Sequence, residues 1–469
     1  MGEKIVINPL TRISGFLEIE VYIENNIIKD AKSSGMLFRG FEKMLEGRPP
    51  LDSIYYTQRI CGICSTAHSI SSASALEDAL KVTANKNDSM IRDIIHGCEF
   101  LQNHLRHFYQ YTFPDYVKGP QISPIYKGSG GDYRLPDKLN KRLSNHYIDS
   151  IKYSRLAHKM LAILAGKAPH NHGVFVGGVT VNMDASIFIE VKSILSSIKD
   201  FIENVMIDDV YIISRYYNDY FNNGKGYGNF MSYGVFDSYY NEPLVYVKPG
   251  VLIDNNRYSF DRDKITENIY HAWYRGDKVN IEPKEGYVES DVHKEEGYSF
   301  VKAPRYDGLP MEVGPLARLW LNGEYNRGVS TMDRTIARAL EAKKICYIIE
   351  DLLQKIELKP TNQKRYEIPD NAYGIGLKDT TRGALGHWLS IKDKKIEKYT
   401  IITPTSWNVS PTDSNGLKGT IEKTLMGTYI EDVKNPVEIG RVVRSFDPCI
   451  SCATHIISKK HPSVRIRVV

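Results

Sequence analysis

The chain has 469 residues, 42% of them hydrophobic and 25% charged, enough to bury a large core. A formal net charge of +5 is too mild for a nucleic-acid binder, and no apolar run reaches the length of a membrane span. Six cysteines are too sparse for a disulfide scaffold and point to metal or redox use.

The opening thirty residues alternate, as in Phe16-Leu17-Glu18-Ile19-Glu20-Val21, and predict strands. Met1-Gly2-Glu3-Lys4 opens no secretory hydrophobic stretch, so export or membrane attachment is expected through a partner, and localisation stays open. A helix is predicted from Met90 to Tyr111, with Ile91, Ile94, Ile95, Cys98, Leu101, Leu105 and Phe108 on one face and Asp88 or Ser89 as its cap. A second starts at Asp184. Residues 221–310, rich in Gly, Tyr and Asn, predict a β-rich elaboration, and a third helix spans Ile336 to Ile356. Short strands and turns then lead to the C-terminus. The expected fold class is α+β and mainly helical: a long-helix bundle with peripheral β segments.

Two Cys-x-x-Cys pairs stand at opposite ends of the chain, Cys61/Cys64 and Cys449/Cys452. If they meet, residues 1–455 form one interleaved unit. Cys64 and His68 are spaced i, i+4, and a helix beginning near Cys64 would favour thiolate over thiol there. Taken alone, the four sulfurs fit structural zinc, a redox dithiol or a catalytic metal. Zinc ribbons keep their pairs close together to staple a small fold, which a chain of this size does not need. Cys98 and Cys346 lie on apolar helical faces and read as core residues.

The flanking residues narrow the choice. Arg59-x-Cys61-Gly62-x-Cys64-x-x-x-His68, with Asp447-Pro448-Cys449-x-x-Cys452-x-x-His455 far downstream, resembles the paired signature of the nickel–iron hydrogenase large subunit. Asn8-Pro9-Leu10-Thr11-Arg12-Ile13, Phe38-Arg39-Gly40-Phe41-Glu42, Pro169-His170, Glu312-Val313-Gly314-Pro315, Thr381-Arg382-Gly383 through His387, and Pro404-Thr405-Ser406-Trp407-Asn408 continue the likeness in order.

That resemblance implies reversible heterolytic cleavage of H2, with Cys449 accepting the proton. Cys61 and Cys449 would be terminal nickel ligands, Cys64 and Cys452 would bridge nickel to iron, and the iron would carry carbon monoxide and cyanide. Arg382 and Thr405 match positions that contact those diatomic ligands. Glu42, the carbonyl of Ile401 and His455 match the ligands of a magnesium-type ion. His68 is expected to hydrogen-bond a cysteine sulfur. With no further cysteine cluster in the chain, electrons must leave through a separate iron–sulfur small subunit.

Two positions depart from the family pattern. Ser14 stands where the family has a proton-carrying Glu; a hydroxyl relays a proton but cannot store one at neutral pH. Either another acid, Glu18 or Glu20 on the same face of the alternating strand, then takes over, or turnover is slow. Asn103 stands where the family often has Asp, leaving Asp447 as the expected anionic partner of Arg382. Residues 456–469, with Lys459, Lys460, Arg465 and Arg467 and no acid, match an extension that a maturation endopeptidase removes once nickel-insertion proteins have loaded the site. A hydrogen-sensing regulatory subunit with the same metal site is the alternative reading.

Overall fold

The computed structural model describes residues 2–122, 131–236, 246–286, 289–361 and 365–453. Its N-terminal strands Glu3–Ile7, Leu17–Glu24 and Ile27–Gly35 form an antiparallel meander. Odd-numbered Leu17, Ile19, Val21 and Ile23 point inward, as strand alternation requires. What they pack against comes from the far end of the chain: Ile421, Leu425, Ile439, Val442, Val443 and Ile450. The edge strand is also joined to that end through its main chain, with Ile28 N donating to Thr428 O at 3.0 Å and Gly427 N to Ile28 O at 2.8 Å. The two termini of the described chain are thereby fixed side by side.

Between them lie the long helices. Lys86–Arg106 is capped by Asn85, whose side chain accepts from Asp88 N, rather than by Asp88 or Ser89. It widens into a π-helical turn over His107–Thr112. Asp184 caps Ala185–Phe201, accepting from Ile187 N at 2.8 Å. Ser330 and Asp333 form a capping box at the start of Thr331–Lys355. Asp137–Ala165, the longest helix described, is absent from the sequence-based expectations.

The expected placing of all β structure at the periphery needs correction. Strands Asn371–Thr380, Gly383–Lys392 and Lys395–Ile402 form an antiparallel sheet whose middle strand is buried along most of its length. The first strand lies directly on helix Ser65–Leu80. A Cβ on Gly374 would stand 2.0 Å from Ala75 O, and one on Gly376 would stand 2.0 Å from Ser71 O. These glycines let a strand backbone touch a helix backbone, and so seat the helix that follows Cys64 against the strand preceding Arg382. Residues 221–310 carry the short strands Phe230–Ser232, Gly250–Ile253, Asn256–Ser259 and Ile265–Asn268, with Ala303–Tyr306. Among the described residues, no helix is long and apolar enough to cross a membrane.

Candidate metal centre

Cys64 is the N-cap of Ser65–Leu80, and Cys61 lies in the turn just before it. From the other end of the chain, helix Val437–Ser445 stops at Phe446, and Asp447 takes a left-handed conformation with φ 55°. That turn delivers Pro448 and Cys449 to the first pair. Cys449 is held on both sides. Its N–H donates to Thr405 Oγ1 at 3.0 Å, and its main chain forms a parallel bridge with Ser14, with Ile450 N donating to Ser14 O at 2.7 Å.

Cys61 Sγ and Cys449 Sγ are 3.3 Å apart and unbonded, and the sulfurs of Cys61, Cys64 and Cys449 all lie within 4.8 Å of one another. All three are buried. Ile63 N donates to Cys61 Sγ at 3.3 Å. Sulfurs this close, unoxidised and sealed from water, form a donor set for a soft or borderline metal rather than for calcium or magnesium. Cys452 lies on the short helix Ile450–Ala453; its side chain, and His455 with the rest of residues 454–469, fall outside the described part. Cys98 and Cys346 are fully buried in the core, where burial pushes both thiols well up.

Arg382 sits beside the cysteines. Its Nε donates to Asp447 O at 2.8 Å, and its Nη2 donates to Asp447 Oδ1 and Asn103 Oδ1, both at 3.0 Å. Nη1 is buried with no partner among the described residues. Burial opposes its charge, but Asp447 and the three cysteines hold the guanidinium firmly cationic. Asp447 is thus the ion partner of Arg382, and it also meets Arg338 at 3.3 Å. Beyond Arg338 the network continues through His104 to Glu341 and Arg318.

His68 Nδ1 is 3.1 Å from His387 Nε2, and His387 Nδ1 is 2.8 Å from Tyr399 Oη. The hydrogen bond that fixes the His68 ring is therefore made to another imidazole. Burial lowers its pKa to about 4, with Cys449 opposing, so the ring is neutral. Glu42, on helix Phe41–Leu45, accepts from Ile401 N at 2.8 Å. Burial raises its pKa to about 7 although Lys302 lies 3.9 Å away. Ser14 precedes the second strand, which starts only at Leu17, so strand alternation does not align it with Glu18 and Glu20. Ser14 Oγ faces Ser451 Oγ at 3.5 Å, and Glu18 is taken by Asn8.

Three residues of the site carry no role in the sequence reading. Arg39 donates to the carbonyls of Ile60 and Ser451, tying together the two cysteine segments. Lys302 pairs with Glu267 at 2.9 Å next to Glu42. Glu99 accepts from Thr66 N and Ala67 N, at the start of the helix after Cys64. Two of them left a signal: Arg39 stands inside the Phe38-to-Glu42 motif, and Glu99 is an acid four residues after Ile95 on a helix face that is otherwise core.

A family profile described as nickel-dependent hydrogenase matches residues 39–128, 117–328 and 321–455. This chain belongs to the nickel-dependent hydrogenase family. It is similar to the periplasmic [NiFeSe] hydrogenase large subunit of Desulfomicrobium baculatum, with 36% identity over 97% of this chain and 95% of that protein. It is also similar to the hydrogenase-1 large chain of Escherichia coli, with 31% identity over 97% and 95%. The Ni-Fe-Se hydrogenase structure from D. vulgaris Hildenborough superposes with a TM-score of 0.93 at 36% identity, over 97% of this chain and 100% of that one. Two of these relatives are named for selenium, whereas the four motif positions of this hydrogenase subunit are all cysteine. The fold is that of the hydrogenase large subunit.

Proposed function

We propose that the chain is the catalytic subunit that splits H2 reversibly into protons and electrons at a nickel–iron centre. The convergence of Cys61, Cys64 and Cys449 in one buried cluster, from motifs far apart in sequence, carries this reading. Cys61 and Cys449 would be the terminal nickel ligands, and Cys64 and Cys452 the bridges to an iron bearing carbon monoxide and cyanide. The centre, when bound, supplies the Lewis acidity that polarises H2 and the redox capacity that takes its electrons.

The protein's part is protonic and electrostatic. Cys449 Sγ takes the proton. Ser14, joined to Cys449 through the main chain, offers the first hydroxyl on the way out, and Ser451 Oγ the next. Arg382, neutralised on one side by Asp447, keeps its cation beside the cysteines and, among the described residues, an N–H donor without a partner. Its guanidinium is already protonated and cannot take a further proton, so it acts by holding charge in place. Thr405 fixes Cys449 by accepting its N–H. His68, neutral and anchored by His387, packs beside the site without adding charge.

Glu42, the carbonyl of Ile401 and His455 would hold a magnesium-type ion. The buried carboxyl of Glu42, pushed up to about 7 by its surroundings, fits a place where a carboxylate lacks a balancing cation. Electrons pass to an iron–sulfur small subunit. Residues 456–469 are removed by an endopeptidase after nickel insertion, and the mass of the mature subunit tests that step.

Infrared spectroscopy of the purified complex, with nickel and iron analysis, tests the whole reading. Carbon monoxide and cyanide bands with equimolar nickel and iron are expected, together with sustained H2 turnover. Zinc in place of nickel, with no diatomic bands, would overturn it.

A further inference from the structure

Helix Ser65–Leu80 is capped from another part of the chain. Cys64 occupies the N-cap position but makes no side-chain cap. The first-turn amides that a capping side chain would serve, those of Thr66 and Ala67, donate instead to Glu99: 2.6 Å to Oε2 and 3.0 Å to Oε1. Glu99 is 2% exposed, sits on the core side of Lys86–Arg106, and has no part in the chemistry described above. The hydroxyls of the same turn have partners of their own, and that of Thr66 also hydrogen-bonds Glu99. Ser65 Oγ accepts from His170 N at 2.9 Å, and Thr66 Oγ1 accepts from Asn171 Nδ2 at 3.3 Å.

A thiolate at a helix N-cap ordinarily draws on first-turn amides and on the helix dipole. Here Glu99 holds both amides; burial raises its carboxyl to about 7 against those amides and Arg382, and above that pH its charge shares the buried surroundings of Arg382 and the cysteines. Hydrogen bonds to ligand sulfur and net charge nearby tune a metal–thiolate centre. We infer that Glu99 is a positioning residue that keeps these amides off the sulfur of Cys64 and so increases the electron density this ligand gives to its metals. The inference rests on the nickel–iron reading above.

Glu99→Gln keeps the shape and one acceptor oxygen but removes the carboxylate. In the purified complex, its carbon monoxide and cyanide bands are expected at higher wavenumber than in the wild type, because less density reaches the antibonding orbitals of those ligands. Asp184→Ala, which removes an exposed helix cap, lowers stability and leaves the bands in place. Unmoved bands in metal-loaded Glu99→Gln overturn the inference. If that variant loads no metal, Glu99→Asp is read in its place, with a smaller upward shift expected and unmoved bands overturning the inference. Loss of metal in both variants also overturns it, by reducing Glu99 to a structural cap. Absence of diatomic bands in the wild type is a separate failure, that of the nickel–iron reading itself.

Discussion

Asn103 Nδ2 donates to Asp447 Oδ2 across 2.8 Å in the interior beside the cysteines. Its carbonyl accepts from Arg382 Nη2, so one neutral amide joins the cation to the anion. Asp447 also faces Arg338, and these partners hold its pKa below the ordinary carboxylate value despite burial that acts the other way. Asn103→Asp would set a second carboxylate against the first, and one of the two must then keep a proton. A carboxyl raised in the folded state loses stability as pH rises above its unfolded pKa of about 4. The variant is therefore expected to match the wild type in acid and to fall behind by about 1–3 kcal/mol at neutral pH. Melting curves at both pH values check this, and a deficit that did not change with pH would remove the shared-proton account.

Arg382→Lys keeps a cation but loses the planar fork that spans Asn103, Asp447 and the cysteines. H/D exchange is expected to drop about a hundredfold or more, as when a preorganised donor is lost from other active sites. Infrared bands and metal content should persist. Full activity in this variant would show that charge alone suffices.

Ser14→Glu restores a group that can hold a proton beside Cys449. The main-chain bridge between the two residues fixes the backbone from which that side chain departs. The proton-transfer-limited exchange rate is expected to rise, while affinity for H2 stays unchanged. A rate that stayed level or fell would mean that the Ser14–Ser451 hydroxyl pair is not the bottleneck.

If Glu42 holds the proposed magnesium-type ion, removing that ion should expose the titration of Glu42. Burial moves its carboxyl from 4.5 to about 7, so the folded protein binds a proton between those values that the unfolded chain releases. Stability of the cation-free subunit is expected to fall as pH rises through that window, by roughly 3 kcal/mol in all. Bound Mg2+ favours the carboxylate and flattens the slope. Chelated and Mg2+-replete protein can be melted across this range; identical slopes would take Glu42 out of the cation site.

The centre was legible because its chemistry is written in short motifs. Cys64 and His68 are local to one helix, and Asp447 was the available anion for Arg382. What the sequence concealed is packing between backbones. Gly374 and Gly376 are the surface on which a helix rests, and they place a sheet inside the molecule. Helix Asp137–Ala165 escaped notice because part of its buried stripe is Ser150, Ser154 and Ala157, small residues with little hydrophobic signal. The cap at Asn85 was missed for a related reason: three consecutive polar candidates follow it, and only geometry selects among them. Arg39 and Lys302 reach partners hundreds of residues away, the carbonyl of Ser451 and the carboxylate of Glu42, that no local pattern marks.

Because Cys449 lies near the end of the chain, the half of the centre made by Cys61 and Cys64, like the Ser14 that Cys449 bridges, leaves the ribosome long before its complement. At about 5–20 residues per second, the stretch between the two motifs takes on the order of tens of seconds to synthesise. For that time the first cysteine pair is an incomplete thiol site. Strand Ile27–Gly35 is likewise a sheet edge still waiting for Gly427 and Thr428, the kind of edge that recruits neighbouring chains. Closure is timed by the last segment to be made, so the thiol cluster is complete only in the finished chain.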